Sequence, residues 1–283
     1  MPADAVAVRA RTHGGALLAS ELRVLFRRWR TWAMLAALAS IPVLMAVVVR
    51  LSSEPPGPGE GPPFLDQVTN NGMFVAVTAL VVTTPLFLPL TVAVVSGDTI
   101  AGEASLGTLR YLLVAPAGRV RLLLVKYLSA VVFCLAASGT VLLVGWAIGV
   151  ALFGAGEATL LSGDTIGVGD AVLRSLLVGA HVSICMLGLA AVGLFISTLT
   201  DAGVGAMAAV AVLTIVAQVL GQLDQLAWLH PWLFTHHWLA FADLLREPVV
   251  WTSFTQNALL QAAYVAFFGA LAYGRFSTKD VLS

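Results

Sequence analysis

The charged residues best placed to do work in this 283-residue chain gather in one stretch, GDTIAGEASLGTLRYLLVAPAGRVRLLLVKYL, residues 97–128. Two acids, Asp98 and Glu103, are followed by the bases Arg110, Arg119, Arg121 and Lys126, and long apolar runs flank the whole. Ile100, Leu106, Leu109 and Leu113 predict an apolar stripe along a helix, which Pro116 and Gly118 break before the basic run. Charges on such a helix suit ionic docking of a partner surface. The simpler alternative is a surface helix whose charges only anchor topology.

Three other groups could carry chemistry. His230, His236 and His237, with Asp224 and Asp243 nearby, form the only metal-like cluster. Adjacent histidines lack the i, i+4 spacing that puts two ligands on one helical face, and no HExxH occurs. An aromatic element with incidental histidines is preferred, so no metal is expected; a membrane enzyme with an extracytoplasmic metal site is kept as an alternative. His181 stands alone in an apolar run, and Thr214, Gln218 and Gln222 recur one turn apart in another. Each either lines a path through a membrane or bonds a neighbouring helix. Cys134 and Cys185 lie inside apolar runs and read as packing residues.

These residues must be positioned by membrane spans. Six charge-free windows, 31–49, 67–97, 127–156, 175–200, 202–223 and 248–274, each reach 19 residues or more. About 20 apolar residues carry an α-helix across the hydrocarbon core. The runs do not alternate as strands do, and backbone groups in lipid must be paired within the segment, so the expected fold is an all-α integral membrane bundle of six transmembrane helices. Six crossings put both termini on one side. That side, comprising the N-terminal segment, the 98–126 connection and the C-terminus, carries 12 of the 15 Lys and Arg residues. The connections on the other side hold only Arg50, Arg174 and Arg246, with nine of the 15 acids. The positive-inside rule then makes both termini cytoplasmic. With 59% hydrophobic and 11% charged residues, little remains for a soluble catalytic domain.

The expected divisions are a cytoplasmic segment 1–30, a six-span domain 31–274 and a cytoplasmic tail 275–283. Within 16–30, Leu18, Leu22, Leu25 and Trp29 share one face and Arg23, Arg27 and Arg30 another, which predicts an amphipathic interfacial helix. Pro42 should kink the first span; Pro85 and Pro89, with Thr83 and Thr84 just before, should kink the second and free carbonyls that need other partners. The third span is expected from Tyr127 and the fourth from Ala171, with a tight turn around Asp201 and Gly203 before the fifth. The Trp- and His-rich element 222–247 is read as external, re-entrant or interfacial, before the sixth span.

An acid, then Gly-Thr, then a Pro followed by Arg and Lys resembles the permeases of the type-2 ATP-binding cassette (ABC) transporter family. The matching positions are Asp98, Glu103, Gly107, Thr108, Leu112, Leu113, Pro116, Arg119 and Lys126, and the ending around Arg275, Phe276, Lys279 and Asp280 is similar too. The resemblance covers nearly the whole chain. It implies a plasma-membrane exporter subunit, paired with a second permease copy or a sister permease and with a separate ABC ATPase. Residues 16–30 would be the connecting helix, with Glu21, Arg23, Arg27 and Arg28, and 98–115 would hold the coupling helix. Asp98, Glu103, Gly107, Thr108, Arg110, Pro116 and Arg119 would meet the ATPase. Thr83, Thr84, Phe87, His181, Thr214 and Gln218 become candidates for the translocation path.

No G-x-x-x-x-G-K-[ST] loop occurs, so this chain is not expected to be an enzyme or to bind a cofactor; ATP and Mg would sit on the partner. Membrane lipid, but no nucleic acid, is the other expected contact. A gradient-driven carrier is a further alternative, although only His181 lies deep in a span. A membrane scaffold or sensor that couples to an ATPase without moving substrate also fits.

Overall fold

A computed structural model describes residues 14–52, 68, 71–107, 118–156, 158–159 and 164–278. It is a helical bundle: α1 (Gly14–Arg27), α2 (Trp29–Leu51), α3 (Met73–Thr83), α4 (Phe87–Ser105), α5 (Arg119–Phe153), α6 (Val168–Leu199), α7 (Gly203–Leu220) and α8 (Thr252–Thr278). One small antiparallel hairpin, β1 (Ala158–Thr159) with β2 (Thr165–Ile166), interrupts the α5–α6 connection. Five helices, α2, α5, α6, α7 and α8, are each long and apolar enough to cross a membrane. The bent pair α3 and α4 makes a sixth span if the two count as one. At 35 residues α5 is about 50 Å long, well beyond a hydrocarbon core of about 30 Å, so part of it must project.

α1 is amphipathic as its spacing predicts. Leu18, Leu22, Leu25 and Phe26 are half-buried, while Arg23 and Arg27 are exposed. Trp29 departs from the expected stripe: it is 84% exposed and opens α2. The cause is Arg28, whose extended backbone ends α1. The Thr31 hydroxyl and the Trp32 indole then donate to the carbonyls of Leu25 and Phe26, at 2.6 and 2.7 Å, satisfying acceptors that a helix C-terminus leaves open. Pro42 lies inside α2 without ending it.

The second span is broken rather than merely kinked, with 60° between α3 and α4. Pro85 has no N–H to give, and the Pro89 ring denies the Pro85 carbonyl its i+4 donor. The Thr83 and Thr84 hydroxyls turn back onto the Ala79 and Leu80 carbonyls, at 2.8 and 2.6 Å. Gln218 of α7 donates its amide to the Pro85 carbonyl. The freed acceptor predicted from the prolines thus has its partner on another helix.

Two boundaries frame the charged stretch. Of the helix expected across 98–115, the part up to Ser105 is the continuation of α4; Ile100 is buried and Leu106 is 71% exposed, while Leu109 and Leu113 fall outside the described residues. Gly107 takes a positive φ of 69°, where a β-carbon would be strained. Leu109, Arg110, Leu112, Leu113 and Pro116 lie outside the described residues, as do Thr108, Lys279 and Asp280. The helix that carries the third span begins at Arg119, ahead of the span expected from Tyr127: the basic run forms the first turns of α5, after a turn at Gly118. The turn at Asp201 is as short as predicted.

α6 is the central helix, packing against α3, α4, α5, α7 and α8. Leu38, Leu80, Phe133, Met186, Leu189 and Phe241 form the heart of the core. Small residues allow α4 and α7 to approach closely: a β-carbon on Gly97 would lie 2.8 Å from the Met207 backbone nitrogen. Between α7 and α8, residues 222–251 fold as short 3-10 turns at Asp224–Leu226, His230–Trp232 and Ala240–Leu245. Phe234, Trp238 and Phe241 bury themselves in the bundle, whereas Trp228 and Trp232 stay exposed. The element is wedged among the helices and does not simply lie on their ends.

Candidate functional site

The end of the bundle that carries the N-terminus of α5 holds an ionic cluster. The Lys126 ammonium donates to Glu21 of α1 at 2.8 Å and to Glu103 of α4 at 3.3 Å. Only 6% of the Lys126 side chain is exposed. Asp98 of α4 pairs with Arg28 at 3.3 Å and with Arg30, both at the α1–α2 junction. Asp98 also lies against the start of α7, where a β-carbon on Gly203 would come within 2.7 Å of its Oδ1. A helix N-terminus favours a carboxylate there. These residues line a cleft of about 40 Å³.

Three acids, Glu21, Asp98 and Glu103, face three bases, Arg28, Arg30 and Lys126. Among the described residues the cluster pairs each of these acids with a base. Its chemistry is mechanical: it fastens α1 and the α1–α2 junction to α4, α5 and the start of α7. Glu21, Arg28, Asp98 and Glu103 therefore come together, while Arg23 and Arg27 point away from them. Asp98 and Glu103, expected as contacts for a partner, pair within the chain with Arg28, Arg30 and Lys126. Arg119 lies elsewhere, donating at 3.0 and 2.6 Å to the Phe276 and Ser277 carbonyls at the end of α8. Thr108, Arg110 and Pro116 are outside the described residues.

The candidates for a path divide. Thr83, Thr84 and Thr214 are buried and bond back onto their own helices. Phe87 is exposed beside an apolar groove shared with Leu38 and Leu90. Gln218 and Gln222 reach a pocket of about 170 Å³ that Pro85, Thr235, His236 and Trp238 also line. The helix break, α7 and the 222–251 element therefore meet at one polar hollow. Gln218→Leu removes the donor to the Pro85 carbonyl, a loss of about 1 kcal/mol for a part-buried hydrogen bond. A fall of a few degrees in the melting temperature of the detergent-solubilised protein is the expected result, with no change in helical circular dichroism.

His181 is fully buried and serves as an anchor: its Nε2 lies 2.9 Å from the His237 carbonyl. Three further ties hold the same element and were missed in the sequence. The Arg174 guanidinium donates to the carbonyls of Leu244 and Arg246, at 3.0 and 2.6 Å, and pairs with Glu247. Gln261 donates to the Phe234 carbonyl at 2.8 Å and to Asn257 at 3.2 Å; the Tyr264 hydroxyl donates to the Trp232 carbonyl at 2.8 Å. The available signals were a lone arginine on the acid-rich side and amides at i, i+4 in the last span.

Among the described residues, no three His, Cys, Asp or Glu side chains converge as metal ligands. His230 instead lies 3.1 Å from the Leu223 carbonyl. Partial burial, and next the neighbouring His230 and His236, push His236 and His237 respectively below the usual histidine value of 6.5. The unfolded chain therefore binds protons more readily. Stability of this element is full above pH 6.5 and declines as pH falls below it. A melting temperature that drops from pH 7 to pH 5, with a shallower slope in His236→Gln/His237→Gln, is the expected outcome.

The family model for a protein of unknown function, DUF2705, matches residues 41–282. The chain belongs to the DUF2705 family. The match begins within α2 and takes in the remaining spans together with Asp98, Glu103, Lys126 and the 222–251 element, but neither α1 nor the first half of α2. The Glu21, Arg28 and Arg30 contributions to the ionic cluster therefore precede the DUF2705 match. No curated protein matches the chain.

Proposed function

We propose that this DUF2705 protein is the membrane-spanning subunit of a type-2 ABC exporter in a plasma membrane, with both termini cytoplasmic. The observation that supports it best is the ionic cluster. An amphipathic helix before the first span is bonded, through Lys126, Glu103, Asp98 and Arg28, to the polar extension of a broken span. A force applied to the segment after Ser105 would travel along α4 to the break at Pro85 and so to the polar hollow beside Gln218. Broken helices beside a polar cavity are a common way for transporters to present backbone groups to cargo.

In this reading Asp98 and Glu103 act as relays. Direct contact with the ATPase falls to the segment from Gly107 through Pro116. ATP and Mg bind on the partner, and two permease units, identical or sister, complete the pathway. Cargo must interact differently with the inward- and outward-facing forms for the cycle to move it. The hollow sets Gln218, Gln222, Thr235 and His236 beside the apolar Pro85, Trp238 and Leu239, which favours an amphipathic cargo.

Purification of the tagged protein in mild detergent from its native membrane, with co-eluting chains identified by mass spectrometry, tests the proposal. A stoichiometric partner with a phosphate-binding loop is expected. A reproducibly lone protein, in a detergent that preserves comparable complexes, would overturn it.

A further inference from the structure

An apolar groove of about 170 Å³ opens between α5, α6 and α8, lined by Val120, Leu124, Tyr127, Leu194, Gly269 and Tyr273 among others. Val120, Leu124 and Tyr127 stand at i, i+4 and i+7 on one face of α5, and Gly269 and Tyr273 at i, i+4 on α8. The groove therefore runs about 10 Å along the helices. Its floor is closed by the buried Leu194, and its rim by the exposed Val120, Leu124 and Tyr273. A β-carbon on Gly269 would meet nothing within 4 Å, so it is this glycine that leaves the slot open.

One end of the slot is basic. Arg119 and Arg121 flank Val120 in the first turn of α5, whose N-terminal amides have no side-chain cap. Arg119 bridges to the last carbonyls of α8, which neutralises the negative end of that helix beside the groove. Arg275 is in the last turn of α8 at the same end. The Tyr127 hydroxyl is turned away, donating to the Leu187 carbonyl at 3.1 Å, so the slot itself stays apolar. An apolar trough about 10 Å long ending at two arginines and a helix N-terminus matches a molecule with an alkyl chain and an anionic head.

We infer that this groove is a binding site for an anionic phospholipid, with one acyl chain along α5 and α8 and its phosphate at Arg119 and Arg121. The site needs neither an ATPase nor transport. If the topology proposed above holds, it faces the inner leaflet.

Native mass spectrometry of the delipidated protein, titrated with phosphatidylglycerol or phosphatidylcholine, tests the inference. Retention of phosphatidylglycerol should exceed that of phosphatidylcholine. Arg121→Gln should cut the preference roughly fivefold, since a basic residue near an anionic lipid contributes about 1 kcal/mol. Gly269→Leu, which places a side chain in open space, should reduce retention of both lipids while leaving the melting temperature unchanged. Leu124→Trp fills the slot from the other wall and should do the same. Equal retention of the two lipids, or phosphatidylglycerol binding untouched by both filling variants, would overturn the site. So would closure of the groove by a second copy, seen as a lipid-free dimer that either filling variant dissociates. None of these outcomes depends on whether an ATPase co-purifies.

Discussion

Lys126→Met lowers the melting temperature of the purified protein by roughly 10 °C. Its ammonium is nearly buried and is the common partner of Glu21 and Glu103, whose side chains are themselves only 16% and 18% exposed. Removing one member of a buried ionic group strands its partners, at a cost of about 3–5 kcal/mol. For a chain of this size each kcal/mol moves the midpoint by about 2–4 °C. The loss arises from the stranded carboxylates and not from the missing attraction, and this gives a sharper expectation. Adding Glu21→Gln and Glu103→Gln to Lys126→Met should recover most of the stability, because replacing every member of such a group is close to neutral. Differential scanning fluorimetry on the single and triple variants decides it; a triple variant no better than the single one would mean that Lys126 acts by packing alone. Proteolysis within α1 should become faster in the single variant, since Glu21 is the only residue of α1 in the cluster.

Arg174→Met should loosen the 222–251 element and spare the rest of the bundle. Its guanidinium binds two backbone carbonyls that no other described hydrogen bond satisfies, and one acid. Hydrogen bonds from a charged donor contribute about 1.5–3 kcal/mol each, so a local loss of about 3 kcal/mol is expected. Hydrogen exchange of residues 240–251 should then accelerate by about two orders of magnitude, while α5 and the core of α6 stay protected. Glu247→Gln provides the contrast. Glu247 is half-exposed, and such an ion pair contributes at most about 1 kcal/mol, so its exchange should change little. Equal effects from the two substitutions would show that the ion pair, and not the carbonyl contacts, holds the element.

The two variants probe opposite ends of the broken span. Lys126 and Glu103 act where α4 carries its charges, and Arg174 acts on the element that helps to enclose the hollow beside Pro85. If α4 transmits movement between them, cross-linking a cysteine pair at Asp98 and Arg30 should alter hydrogen exchange around His236 as well as locally.

The membrane class, the number of candidate spans and the short α6–α7 turn could all be read from charge-free windows, because the length of an apolar run is a local property. So could the amphipathic α1 and the orphaned carbonyl at Pro85, since helical spacing and proline chemistry are written in consecutive residues. Segment ends were harder to place. The basic run 119–126 reads as part of a connection by charge, yet α5 begins there, because Arg119 finds the carbonyls at the end of α8 and Lys126 finds Glu21 and Glu103. The stripe from Ile100 to Leu113 reads as a helix by spacing; α4 carries it to Ser105, with Ile100 buried and Leu106 exposed.

By itself, then, the sequence determined that apolar helices dominate and that charges gather at their ends, and it singled out Asp98 and Glu103 as charges set to meet a partner and Gln218 and His181 as polar residues inside spans. Only the tertiary structure decided their partners: Arg28 and Arg30, Lys126, the Pro85 carbonyl and the His237 carbonyl. The physical reason is the same in each case. Burial obliges a polar group to find a partner, but which partner depends on residues 23 to 133 positions away, brought within about 3 Å by packing that no local pattern encodes.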